Sequence, residues 1–224
     1  MLTNFRGDVI FTEPFGYGRM AIAAAWGGLR FGEVAALRES SLAGSTLRIT
    51  FAVTEVAGRV ELGPTKTEGS RRTINFGQEV VNILELHLEV REQWLGALRE
   101  RAAKEDASVS PHVLEPDPLL FMTRYGHPLS RTRFRNRFWQ PAVEFVQLKP
   151  PPTFHALRHF HAAWLIARGY QAKLIQERMG HASSRVTQDV YGHLIEGLDE
   201  AAAASLEGPA GGTYVARGSA EEGA

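Results

Sequence analysis

The chain has no cysteine among its 224 residues, which excludes disulfides and thiolate metal sites. It has no long hydrophobic run either. The longest apolar stretches, such as Met20 to Trp26, fall far short of the roughly 20 residues a bilayer-spanning helix needs. No basic stretch followed by an apolar one opens the sequence, so a cytoplasmic protein is expected. Net charge is absent as well, 25 Lys and Arg balancing 25 Asp and Glu. What is present is ordinary for a soluble protein, with 44% hydrophobic and 22% charged residues, enough for one large domain, or one domain plus a tail.

A zero sum argues against a nucleic-acid partner, but the charges are unevenly spread. Residues 1–123 hold 13 basic and 16 acidic groups, and residues 124–185 hold 11 basic groups against only Glu144 and Glu177. Residues 186–224 then carry Arg217 against seven acids. The local excess is what an anionic partner feels.

The periodicities predict a mainly α-helical α+β chain with a small antiparallel sheet. Residues 20–38 alternate small and large apolar groups at helical spacing and are interrupted at Gly27–Gly28, giving two helices that meet near Arg30, or one with a strained junction. Leu47–Val56 alternates with period 2, Ala57–Gly58 offers a turn, and Arg59–Leu62 and Arg72–Phe76 read as further strands. Val80, Ile83, Leu84, Leu88, Trp94, Leu95 and Leu98 mark one long helix from Glu79 to about Lys104. Ala107–Pro118 is a loop, Leu119–Met122 a short strand and Ser130–Phe145 a basic helix. Three prolines at 150–152 stop it. Thr153 is the expected N-cap of a helix running to Arg168, closed by Gly169 and followed by a helix from Ala172 to Met179. Residues 207–224 read as a disordered tail.

Chemistry concentrates in residues 153–193, TFHALRHFHAAWLIARGYQAKLIQERMGHASSRVTQDVYGH. His155 and Arg158 share a helix face, Gly180–His181 follows a helix and a turn, and Tyr191 lies ten residues on. Upstream, Arg30 sits in GGLRFGEVAALR and Lys66 in GPTKTEGSRRTI between two expected strands. Two guanidiniums can grip the non-bridging oxygens of a phosphodiester. Imidazoles can donate a hydrogen bond or move a proton near neutral pH. A phenol needs such a cationic pocket and a nearby base before it becomes a useful nucleophile. The set suits metal-independent phosphoryl transfer.

These segments resemble the catalytic domain of the tyrosine recombinases, the phage integrase family. GGLRFGE is similar to the segment holding the family's first arginine, with glycine where threonine is usual. PTKTEGSRRTI matches the hairpin lysine at Lys66. His155-Ala156-Leu157-Arg158 matches the H-x-x-R box, Met179-Gly180-His181-Ala182-Ser183 the second histidine segment, and TQDVYGHL the nucleophile at Tyr191. The similarity covers roughly residues 20–197, in family order and spacing. It implies the recombinase catalytic fold over residues 20–206, and site-specific recombination or integration of double-stranded DNA without cofactor or metal. Tyr191 would form a 3′-phosphotyrosyl link, with Arg30 and Arg158 stabilising the transition state. Lys66 would protonate the leaving oxygen, His155 assist proton transfer and His181 hydrogen-bond a non-bridging oxygen. Glu33 would buttress Arg30, and a homo-tetramer on DNA is the implied assembly. Arg131, Arg133, Arg135 and Arg137, at every second position of the basic helix, are expected to meet phosphates and make binding salt-sensitive.

Taken singly, each residue has a plainer reading. Arg30 with Glu33 would be a surface ion pair, Lys66 a solvated lysine, Tyr191 a structural tyrosine, and Phe160, Trp164 and Leu165 core packing. A metal site built from His155, His159, His161 and His181 is disfavoured, because no carboxylate or cysteine completes it and His159 is expected to point away from the pair that His155 forms with Arg158. All the plain readings would have to hold at once in one ordered array. Two departures from the family remain. Residues 1–19 form an atypical segment in which Pro14, Gly16 and Gly18 break the expected opening helix, and no DNA-clamping domain fits before residue 20. The region beyond Tyr191 is acidic, with Leu194, Leu198 and Ala201 as a possible seam for a neighbouring protomer. A non-catalytic DNA-binding remnant is therefore the alternative. A type IB topoisomerase shares the chemistry but must encircle DNA, which suits this short chain badly.

Overall fold

Two glycines at positive φ set where the first helix begins and ends. In the computed structural model, which describes residues 16–65 and 68–180 and the backbone of strands β1 (Leu2–Thr3) and β2 (Val9–Phe11), helix α1 runs over Tyr17–Gly27. Gly16 precedes it at φ 63°, and a Cβ there would lie 2.3 Å from the His87 ring. Gly28 ends it at φ 62°, its N–H bonded to the Ala24 carbonyl, and a Cβ there would sit 2.6 Å from His161 Cδ2. A left-handed backbone with a side chain against it admits only glycine at low cost. The helix thus opens three residues before the predicted start, with Gly18 inside its first turn. Helix α2 (Phe31–Ala35) follows, with Arg30 as its N-cap residue.

The sheet region departs from the single strand expected over Leu47–Val56. The chain breaks at Thr50 into β4 (Thr46–Ile49) and β5 (Phe51–Val56). Strand β4 lies between β3 (Leu42–Ala43) and β7 (Arg72–Asn75), all antiparallel, while β5 pairs with β6 (Arg59–Pro64) as a separate hairpin. The break explains why Leu47 and Ile49 are buried whereas Phe51, next in the alternation, is 41% exposed. Ala57 and Gly58 form the hairpin turn with φ 50° and 77°, the double positive φ of a tight type I′ turn.

Helix α3 (Gln78–Ala103) supplies the long wall. Its inward stripe is Val80, Leu84, His87, Arg91, Leu95 and Leu98, the i, i+3/i+4 spacing of one face. A fully covered leucine such as Leu84 contributes about 1.5–3 kcal/mol by burial. The two polar members face the run Leu119–Met122, which is buried but forms no strand beyond one bridge between Arg38 and Leu119. Its carbonyls are satisfied by side chains instead. The His87 ring nitrogen Nε2 lies 2.8 Å from the Leu120 carbonyl, and Arg91 donates to the Leu119 carbonyl at 2.9 Å. Burial, with the nearby Arg19 and Arg91 charges, pushes His87 down to about 4, so it packs as a neutral ring.

The basic helix comprises α4 (Arg131–Phe134), a π turn over Arg135–Trp139 and α5 (Gln140–Val146). Ser130 caps it, its side chain accepting from Arg133 N at 3.2 Å. Helix α6 (Ala156–Ala167) starts three residues after the expected cap at Thr153. Thr153 contributes its carbonyl to Ala156 N at 3.0 Å, and His155 occupies the N-cap position without a side-chain cap bond. Gly169, at φ 75°, turns the chain into α7 (Ala172–Met179). Helices α6 and α7 meet over Ala162, Ile166, Ile175 and Met179. Phe160 departs from the expected core role, being 42% exposed beside Trp26 and Trp164. Among the described residues no helix is long and apolar enough to cross a membrane.

Candidate active site

The site assembles where the N-terminus of α2, strand β7, the first turn of α6 and the end of α7 converge. At its base lies Glu33, 2% exposed. Its Oε2 accepts from Arg30 N at 2.8 Å and its Oε1 from Arg30 Nη1 at 2.8 Å. Arg72 closes a fork on the same carboxylate, Nη1 to Oε1 at 3.0 Å and Nη2 to Oε2 at 2.9 Å. Arg158 Nη1 is 3.9 Å from Oε2. Burial alone would raise the Glu33 carboxyl, but the hydrogen bonds and charges of Arg72 and Arg30 outweigh it and hold it below its ordinary value. One carboxylate therefore faces three guanidiniums, leaving a local positive excess of the kind that draws an anion.

Arg158 is 2% exposed and donates through Nη1 to the Gly28 carbonyl at 2.5 Å and through Nη2 to the Met179 carbonyl. Burial and the Arg30 and Arg72 charges pull it to about 9, against the favourable Glu33 charge; it stays cationic at neutral pH. Arg30 is the more open of the two, its side chain 39% exposed, with Nη2 3.4 Å from the Gly180 carbonyl. His155, the N-cap residue of α6, is exposed. Partial burial, the neighbouring His159 ring and the cations Arg158, Arg30 and Arg131 lower its pKa, which favours a neutral imidazole at pH 7. The His155 and His159 rings are 4.9 Å apart, edge to face. The expectation that His159 points away is therefore corrected: residues four apart share a helix face. Lys66, His181 and Tyr191 lie outside the described residues, as do residues 194–206 and the tail from 207.

Sequence reading missed two arginines at this site. Arg72 is on the same face of β7 as the buried Ile74, so period-2 alternation already pointed it inward. Arg178 gives no such signal. Its Nε meets His161 Nε2 at 3.0 Å and its Nη2 the Asn75 carbonyl at 2.9 Å and the Trp26 carbonyl at 3.2 Å, fastening α7 to β7 and α1. Burial and the Arg178 charge push the covered His161 down to about 4. It packs against Gly28 in the interior.

Arg131, Arg133, Arg135 and Arg137 are all exposed. The π turn begins at Arg135 and shifts the spacing of the later two relative to the first. The start of this helix is tied to the β5–β6 hairpin by Glu55, whose carboxylate accepts from Ser130 Oγ at 3.0 Å, Thr132 N at 3.1 Å and Thr132 Oγ1 at 3.3 Å. The Arg131 charge is among those that lower the His155 pKa, so the start of the arginine helix lies on the His155 side of the site.

The description "Phage integrase family" applies to a family pattern that matches residues 20–196. An integrase of Staphylococcus phage L54a is 28% identical over 80% of this chain and 48% of its own length. The ICEBs1 integrase of Bacillus subtilis (strain 168) is 28% identical over 75% of this chain and 42% of its own length. The chain thus spans about half the length of the relatives it matches. Among solved structures, the Tn1549 transposon integrase in complex with transposon right end DNA superposes with a TM-score of 0.62 at 20% identity, over 83% of this chain and 56% of that one. XerA recombinase superposes at 0.54 over 78% of this chain and 53% of that one, also at 20% identity. The fold is that of the tyrosine recombinases, and with the family pattern running through most of its length, this chain belongs to the phage integrase family.

Proposed function

We propose that the chain cleaves and rejoins double-stranded DNA at a specific site through a 3′-phosphotyrosyl intermediate on Tyr191. The observation that carries this reading is the convergence of Arg30, Arg158 and His155 on one partly open cluster with a positive excess. Guanidiniums so placed favour a transition state in which charge builds on the non-bridging oxygens. Tyr191 Oη would bond to phosphorus as the bond to the 5′-oxygen breaks. The phenolic proton would leave with help from His155, which its lowered pKa keeps neutral and so able to accept one. Lys66 would deliver a proton to the departing 5′-oxygen, and His181 would hydrogen-bond a non-bridging oxygen. A 5′-hydroxyl from another strand attacks phosphorus and expels Tyr191, restoring a phosphodiester without an external energy source. Neither step calls on a metal. Arg131, Arg133, Arg135 and Arg137 would seat the duplex by phosphate contacts, and strand exchange would be carried out by a tetramer on DNA.

The alternative is a family member that binds DNA and performs no chemistry. Nicked suicide duplexes with randomised cores separate the two. A denaturation-stable protein–DNA band that disappears in Tyr191→Phe is the expected result. Salt-sensitive binding of both proteins with no such band would favour the binding-only reading.

A further inference from the structure

The Glu33 cluster contains one cation that the chemistry above leaves without a task. Arg72 spends four N–H contacts on acceptors held by three separate parts of the fold. Two go to Glu33 on α2, one runs from Nε to the Arg178 carbonyl on α7 at 2.7 Å, and one from Nη1 to the Ser70 carbonyl before β7 at 3.2 Å. Its side chain is 6% exposed. A guanidinium so committed has little left to offer a substrate, whereas Arg158 gives two contacts to carbonyls and Arg30 is 39% exposed. Gly180 closes the arrangement: a Cβ there would come within 2.9 Å of Arg72 Nη1 and of the Gly69 carbonyl.

We propose that Arg72 is a positioning residue that sets the aim of Arg30 and Arg158. It does so by fixing the Glu33 carboxylate and the last turn of α7. This rests on the reading that Arg30 and Arg158 hold the scissile phosphate. Arg30 takes its orientation from Glu33 Oε1 and the Gly180 carbonyl, and Arg158 takes its own from the Met179 carbonyl and the charge of Glu33. Arg72 touches both anchors, the carboxylate directly and the α7 end through the Arg178 carbonyl. The fork is planar, with its donors at fixed angles, so it locks the relative placement of α2, β7 and α7 in a way a lysine ammonium cannot. Buried ion clusters of this kind contribute little net stability compared with an apolar filling. Their value here lies in geometry.

The test uses Arg72→Lys, which keeps the charge and loses the fork, with folding verified by the amide spectrum and melting. Guanidinium Nε–Hε signals of Arg30 and Arg158, assigned by substitution, are expected to shift and lose protection in the variant. Cleavage of a phosphodiester suicide duplex is expected to fall by about 10- to 100-fold, the usual loss when an outer partner of a working group is removed. A duplex carrying a neutral methylphosphonate at the scissile position places less demand on paired guanidiniums, so its cleavage should fall by less than about threefold. An equal loss on both duplexes would mean a general structural defect and overturn the proposal, as would Nε–Hε signals that stay in place. If the native chain cleaves neither duplex, the cleavage reading fails by itself. The spectra then decide the positioning role alone, shifted signals supporting it and unchanged signals ending it.

Discussion

Replacing Glu33 by glutamine changes one atom of a side chain and should cost the fold heavily. The native carboxylate accepts four N–H contacts, two from Arg30 and two from Arg72, at 2.8 to 3.0 Å. It also faces Arg158 at 3.9 Å. An amide has one oxygen, able to serve two of those donors, and its NH₂ group would confront the other two. Two donors then lack acceptors, at about 1–3 kcal/mol for each unsatisfied group, and three guanidiniums lose the carboxylate they share. Removing one member of a buried ion cluster costs about 3–5 kcal/mol in comparable cases. For a domain of this size that is a fall in Tm of about 6 to 20 °C. Acid provides an internal control. The Glu33 pKa lies below its ordinary 4.5 in the fold, so the charged form stabilises the native state above that value. The contribution fades as pH falls through the depressed folded value. Urea titrations of native and Glu33→Gln protein should therefore differ fully at neutral pH, and the gap should narrow as pH falls below 4.5 toward the depressed folded value. A loss under about 1 kcal/mol at neutral pH, or a gap that stays constant into acid, would show that the carboxylate is not the hub.

Two further outcomes follow from the charges around the site. The His155 imidazole should titrate below 6.5, because burial and the surrounding cations disfavour its charged form. Arg131→Ala, by removing one of those cations, should raise the midpoint. A native midpoint at or above 6.5, read by NMR of the ring protons, would contradict the observed surroundings. For the arginine helix, Arg131→Ala and Arg135→Ala should each weaken binding to duplexes of any sequence and reduce the slope of log affinity against log salt by about one. An unchanged slope would place the phosphate contacts elsewhere.

The sequence was most readable where one residue carries one local meaning. Gly28 and Gly169 ended helices where positive φ is needed, and Ala57–Gly58 made the hairpin turn. The long stripe of α3 gave that helix its inward face. Legibility failed where the partner is distant in sequence. Nothing near Leu119–Met122 reveals that His87 and Arg91 will satisfy its carbonyls, so an apolar run that could form a strand packs as irregular chain. The break at Thr50 is similar, since β4 and β5 find different partners and the alternation through Phe51 cannot show it.

The candidate site follows the same division. Arg30, His155 and Arg158 were found because each sits in a short segment with family spacing. Arg72 and Arg178 escaped because their meaning lies in contacts across 39 and 17 residues and more. A charged residue on an inward face carries a signal all the same. An arginine at a core position must find acceptors, because an unpaired buried charge is too costly to keep. Arg72 stands on the Ile74 face of β7 and Arg91 on the Leu84–Leu95 face of α3. Each therefore implied a buried acceptor before its position was known. For Arg91 the acceptors are carbonyls of an irregular segment together with the Glu39 carboxylate, and for Arg72 they include the carboxylate beneath the site. Periodicity reports that a charge is buried, and the chemistry of what it meets decides whether it braces the fold or aims the residues that face the substrate.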